Sequence, residues 1–170
     1  MKKYFLIMRI SLITLISCTL MSFWCSAQNS VETIPKFIFF NLDNTPFVNR
    51  NLAENKEILF VFFDVTCDHC QRAIKTLSTR SEELKEVAIY LISLNDRASV
   101  NIFLSQYGNN LVDEKNVTIL QDLMNQFIKQ FNPKKYPSVF LYSSEKKLLI
   151  HDEEDTSLEN IFKIINSSKE

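Results

Sequence analysis

Apolar runs alternate along this chain with stretches in which apolar and charged residues recur three and four apart. EILFVFFDV (57–65) is apolar almost throughout and rich in Phe, Val and Ile. A run of that length and composition predicts a central strand buried on both faces. VAIYLISLN (87–95) reads the same way. Between them, from Asp68 to about Glu86, Ile74, Leu77 and Leu84 fall on one side and charges on the other, the pattern of an amphipathic helix. SVNIFLSQYG (99–108) places Val100, Phe103, Leu104 and Tyr107 at helical spacing, with Gly108 positioned as a C-cap.

The remaining segments complete an ordered alternation. VETIPKFIFFNLDNTPFVNRNL (31–52) predicts two short strands around a turn at LDNT. VTIL predicts a strand, and QDLMNQFIKQF spaces Leu123, Phe127 and Phe131 four apart as a helix would. PSVFLYS and KLLIH flank SEK as a hairpin. Thr156 and Glu159 form a capping box ahead of Leu158, Ile161, Phe162 and Ile165. The order is β-β-β-α-β-α-β-α-β-β-α, which implies an α/β layered mixed sheet. With Gly108 the single glycine, the abundant asparagines are expected to serve the turns that need left-handed backbone. There is no internal repeat, and the acidic run DEED (152–155) reads as a solvated turn.

The first residues stand apart from this pattern. Lys2, Lys3 and Arg9 precede ISLITLISCTLMSFW, which ends at CSAQ. A positive start, an apolar middle and small residues at Cys25 and Ala27 predict an export signal cleaved after Ala27. Two variants stay open: LISC as a lipoprotein box acylating Cys18, and an uncleaved membrane anchor. Residues 1–27 are then the signal or anchor, and 28–170 a single domain. Lys2, Lys3 and Arg9 are the only charges in residues 1–27, so the domain keeps 16 of the 19 basic residues against 20 acidic ones, net −4. Nucleic acid is not an expected partner, because phosphate contacts need a concentrated basic face.

Within the domain only Cys67 and Cys70 remain, in FDVTCDHCQ (63–71). In an oxidising compartment such a pair is a disulfide or a dithiol kept reduced by other proteins. A bridge closing so short a loop adds little by chain entropy, so chemistry explains the pair better than stapling. Haem attachment requires a histidine after the second cysteine, and Gln71 stands there. Structural zinc requires four ligands, while the domain offers these two cysteines, His69 and the distant His151. His69 lies inside the motif, badly placed to chelate with both sulfurs. Copper held by Cys67, Cys70 and a histidine stays open as a metallochaperone reading, as does inert packing in a non-catalytic adaptor.

The redox reading gives the two sulfurs different work. Cys67 falls between a buried strand and a helix, where unpaired N–H groups and the positive end of the helix dipole favour thiolate, the attacking species of thiol–disulfide exchange. Cys70, one turn further on, is expected to be more buried and to resolve the mixed disulfide. Asp68 and His69 stand between them as candidate tuning groups, His69 favouring the thiolate of Cys67 and Asp68, with Asp64, opposing it.

The strand–CxxC–helix unit, followed 66 residues later by KYPSVFLY (135–142), resembles the thioredoxin superfamily. The resemblance extends over roughly residues 34–168. IPKFIFFNLDNTPFVNRNL resembles the N-terminal hairpin of its exported TlpA/ResA-like branch, and VTILQDLMNQFIKQFNPKKYP that branch's extra strand and helix. The resemblance implies a thioredoxin-like mixed β-sheet with flanking helices, a cis-proline at Pro137 facing the dithiol, and substrate contact by Tyr136 and Pro137. Several positions depart from the pattern. Thr66 stands where an aromatic residue is common, and Asp68-His69 replaces the usual proline-containing centre. Val61 occupies the position of the buried acid that some members carry. A histidine at the second central position is similar to strongly oxidising members.

The expected activity is therefore thiol–disulfide exchange on protein disulfides or thiols in the periplasm or cell envelope, by a reductase that is a monomer. Cys67 is the nucleophile and Cys70 the resolving residue. A membrane thiol donor or acceptor completes the cycle, and no metal, flavin or nucleotide cofactor is called for. His151 is expected to be structural, and Lys134 and Lys135 solvated near the proline loop.

Overall fold

The computed structural model describes residues 32–152 and 157–168. Segment 1–27, with Cys18, lies outside the described residues, as do Thr156 of the expected capping box and residues 153–155 of the acidic run. Among the described residues, no helix is long and apolar enough to cross a membrane.

The strands are β1 (Ile38–Asn41), β2 (Pro46–Val48), β3 (Ile58–Phe63), β4 (Ala88–Ser93), β5 (Val117–Gln121), β6 (Ser138–Tyr142) and β7 (Leu148–Asp152). They form one sheet in the order β2-β1-β5-β4-β3-β6-β7. The helices are α1 (Asp68–Thr79), α2 (Arg97–Tyr107), the short α3 (Asn109–Val112), α4 (Gln126–Phe131) and α5 (Ser157–Ser167). Apart from α3, this is the element order that the hydrophobic pattern predicts. β3, β4 and β5 are parallel, while β6 runs antiparallel to β3 and β7 to β6. The carboxyl ends of β3, β4 and β5 therefore meet the amino end of β6 along one edge of the sheet, with Phe62 opposite Ser138 and Phe63 opposite Ser93.

All six residues of β3 are buried, as are all six of β4, because both faces of the sheet are covered. The two-residue period of a strand sorts them. Leu59, Val61 and Phe63 face a largely aliphatic core completed by Ile74 and Leu77 of α1, Val100 and Leu104 of α2, and Ile161 and Ile165 of α5. Ile58, Phe60 and Phe62 face a core of rings from β1, β2, α4 and β6. There Phe127 stacks on Phe131 at 4.2 Å and on Phe62 at 4.4 Å.

Local chemistry moves several expected boundaries. α1 ends at Thr79, short of Glu86, and a 3-10 turn over Ser81–Leu84 follows. Arg80 is at this corner, donating to both Glu83 oxygens at 2.6 and 2.8 Å and to Glu159 at 3.0 Å, with its guanidinium 3.5 Å above the Phe162 ring. Leu84 is fully buried nonetheless. Leu123 does not join α4. The buried Asp122 carboxylate accepts from the N–H groups of Met124, Gln126 and Phe127, starting the helix at Gln126 and leaving Leu123 53% exposed.

Gly108 closes α2, its N–H donating to Leu104, but with φ −128° rather than in the left-handed region. Space explains the glycine: a Cβ there would lie 3.0 Å from Ile74 Cγ2 and 3.1 Å from Leu104 Cδ2. The left-handed positions go to Asn44, Asn55, Asn125, Asn132 and Lys146, so asparagine serves the turns as its abundance suggests.

Candidate active site

The site begins where β3 runs out. Asp64, Val65, Thr66 and Cys67 turn the chain into α1, and each of their four N–H groups has a partner. The Asp64 N–H points at Cys70 Sγ, 3.5 Å away, and the Cys67 N–H donates to the Asp64 carbonyl at 3.3 Å. The Thr66 N–H and hydroxyl both donate to Asp64 Oδ1, at 2.8 and 2.6 Å. The Val65 N–H donates to Asn95 Oδ1 at 3.1 Å. The Asp64 carboxylate thus folds back over its own turn.

Cys67 is the N-cap of α1, in extended conformation at φ −90°, ψ 118°. The residue is half-buried, and its sulfur lies 3.7 Å from the Tyr136 carbonyl, to which the thiol donates. Cys70, three residues on, is fully buried among the aliphatic residues of the α1 face. Burial pushes its thiol far above the ordinary range; the hydrogen bond to Cys67 and the charges of Cys67 and Asp64 add to this, while the Asp64 N–H opposes it. Both cysteines are thiols here. The two cysteines thus differ in burial, Cys67 being half-buried and Cys70 fully buried.

Tyr136 and Pro137 come from the opposite side, at the amino end of β6. The peptide bond between them is cis. The half-buried Tyr136 ring packs on Phe62 at 4.9 Å, extending the row of rings from α4 to the dithiol edge. Its phenol is pushed up, first by burial and then by the charge of Asp64, with smaller contributions from Cys70, Asp122 and Cys67. The proline loop and the dithiol thus share one surface, as the resemblance implied.

Asp68 and His69 are exposed on the first turn of α1. His69 Nδ1 is 2.9 Å from Arg72 Nη2, three residues along the same helix. Val61, where some relatives carry an acid, is fully buried on the Cys70 side of β3. His151 stacks on Phe140 at 3.8 Å and shares a 3.1 Å hydrogen bond with the buried Ser138 hydroxyl, a structural role. Lys134 and Lys135 are exposed.

Asn95 and Asp122 are site residues that the pattern of apolar positions did not single out. Each follows a strand that ends at the dithiol edge, and the polar tails SLND and LQD after buried strands are the only trace of them in the sequence.

A profile of the AhpC/TSA family matches residues 31–150. No curated protein matches the sequence significantly. Among solved structures, a thiol-disulfide oxidoreductase from Bacteroides fragilis superposes with a TM-score of 0.62 at 22% identity, covering 78% of this chain and 98% of its own. A secreted Mycobacterium tuberculosis disulfide oxidoreductase homologous to E. coli DsbE gives 0.60 at 19% identity, over 75% and 95%. A thioredoxin-like protein from Aeropyrum pernix gives 0.61 at 13% identity, over 75% and 88%. At these identities the structural likeness speaks for the fold, and the profile match speaks for the family. The chain belongs to the AhpC/TSA family and is built on a thioredoxin-like fold.

Proposed function

We propose that this protein is an exported thiol–disulfide oxidoreductase of the TlpA/ResA-like kind, acting as a reductase of protein disulfides in the cell envelope. The observation that carries the reading is the asymmetry of the pair: Cys67 is partly exposed at a helix start beside the cis-proline loop, and Cys70 is fully buried one turn later.

The Cys67 thiolate attacks one sulfur of a substrate disulfide; that S–S bond breaks, and the departing thiolate takes a proton from solvent. Cys70 then gives up its proton and attacks Cys67 Sγ, displacing the second substrate sulfur, which is protonated in turn. The substrate gains two electrons and two protons, and Cys67 and Cys70 are left bridged. A thiol donor at the membrane reduces the bridge. Tyr136, whose carbonyl is 3.7 Å from Cys67 Sγ, and Pro137 contact the substrate backbone in this reading. Asp68 and His69 tune the pair from the exposed side of α1.

The direction of electron flow follows the potential of the pair, because added stabilisation of the reduced form is what makes a strong oxidant. Equilibration of the dithiol against graded thiol/disulfide buffers tests this. A potential near about −270 mV is expected for a reductase, and one near about −120 mV would assign the protein to oxidation instead.

Segment 1–27 supports export through its charge and apolar pattern. Export is checked by the N-terminal sequence of the protein recovered from the cell envelope, which should begin after Ala27 or at an acylated Cys18. Copper binding is the weaker reading, because among the described residues no third Cys, His, Asp or Glu gathers with the two sulfurs.

A further inference from the structure

Three of the four N–H groups in the turn that presents Cys67 are held from within residues 64–70. The fourth, that of Val65, is held by Asn95, thirty residues along the chain in the loop after β4. Asn95 is itself fixed on two sides. Its Oδ1 also accepts from the fully buried Ser93 hydroxyl at 2.8 Å, and its carbonyl accepts from Gln121 Nε2 at 2.9 Å. The Asp122 N–H donates to the Ser93 carbonyl at 2.9 Å, so the loops after β3, β4 and β5 are joined through this one polar cluster.

We propose that Asn95 is a positioning residue of the dithiol: through Val65 it holds the 64–67 turn where Cys67 Sγ stays within reach of Cys70. A backbone N–H that loses its partner at such a site frees the turn to move. Displacement of a reacting group by about 1 Å can cost as much as a hundredfold in rate. Bridge formation is an intramolecular closure of two sulfurs, so a loosened turn lowers the effective concentration of one at the other. The bridge then forms less favourably, and Cys70 clears a mixed disulfide more slowly. The role uses Asn95 only as an acceptor on its side chain, since both side-chain bonds enter Oδ1. A carboxylate of the same shape retains both bonds.

The test rests on the dithiol chemistry of the proposed function but needs no protein substrate. The full chain and its Asn95→Ala, Asn95→Asp and Ser93→Ala variants are equilibrated in graded oxidised and reduced dithiothreitol. Free thiols are counted by alkylation and mass. Asn95→Ala is expected to lower the equilibrium constant for bridge formation about tenfold, which is about 30 mV toward a less negative potential. Asn95→Asp is expected within about twofold of the parent on the same scale, and Ser93→Ala to fall between the two. An Asn95→Ala protein that melts earlier but keeps the parental equilibrium has lost only structure, and that result overturns the proposal. If Asn95→Ala does not fold, an unshifted Ser93→Ala overturns it equally. A pair that bridges reversibly without reducing insulin, used as a protein disulfide probe, sinks the proposed reductase activity and leaves the positioning result to be read on its own. A pair that never bridges sinks both.

Discussion

Cys67 at the N-cap of α1 and Cys70 within it are three residues apart and touch the same aliphatic core, yet one is partly exposed and the other fully buried. Around Cys67 are turn backbone, the Tyr136 carbonyl and solvent; around Cys70 is the aliphatic core beneath α1, with the Asp64 N–H as a polar neighbour. Under the proposed function, the same side chain attacks from one setting and is held back in the other, where burial raises its pKa. The difference comes from helical geometry: one turn of α1 carries the chain from the edge of the sheet to its buried face.

Breaking the exposed half should have the largest effect. Cys67→Ser is expected to abolish reduction of insulin disulfides altogether, measured by turbidity as the chains separate, because Cys70 cannot reach a partner from the core. Cys70→Ser is expected to retain the first step and lose the second. The protein should then accumulate a covalent adduct with its target, seen as a mass increase that dithiothreitol removes. Full turnover by either variant contradicts the division of labour.

The contrast also sets a dependence on pH. Burial raises the Cys70 thiol above its ordinary value of 9.0, so the folded chain keeps a proton that the unfolded chain sheds. That contribution to stability is intact below about 9 and declines as the pH climbs toward the folded value. Reduced protein is expected to lose about 1 kcal/mol between pH 9 and 10, measured by urea unfolding. Cys70→Ala should remove that slope. Tyr90 and Tyr142, also raised by burial, add the same sign only from about 10.0. The smallest effects belong to the facing loop. Tyr136→Ala, which removes the ring packed on Phe62, should raise KM for a protein disulfide by roughly tenfold, the order of one lost side-chain contact at an interface. Tyr136→Phe keeps the ring and should stay within about twofold of the parent in the same assay.

Much of this was legible in the chain itself. β3 and β4 read plainly because a strand covered on both faces cannot be mistaken for an amphipathic one, and α1 and α2 because their apolar residues keep helical spacing. CxxC between a buried strand and a helix was enough to expect the second cysteine to be the more buried. What escaped notice depends on contacts between distant segments. Arg80, just past the end of α1, donates to Glu159, 79 residues away. The start of α4 depends on a carboxylate outside the helical period, which also misplaced Leu123. Asn95 carries no periodicity at all, and its bond to Val65 exists only once β3 and β4 are side by side. Residues that fill a core announce themselves by spacing, whereas residues that tie loops together do so only in three dimensions.

The central claim is that Cys67 and Cys70 form one reversible two-electron pair. The most direct test is to titrate the full chain through graded thiol/disulfide buffers, alkylate, and weigh it at each point. The account predicts that both thiols disappear together in a single transition, within a monomer, and return on reduction. Thiols that survive the most oxidising buffer, or a bridge between two chains through Cys67 alone, would contradict it.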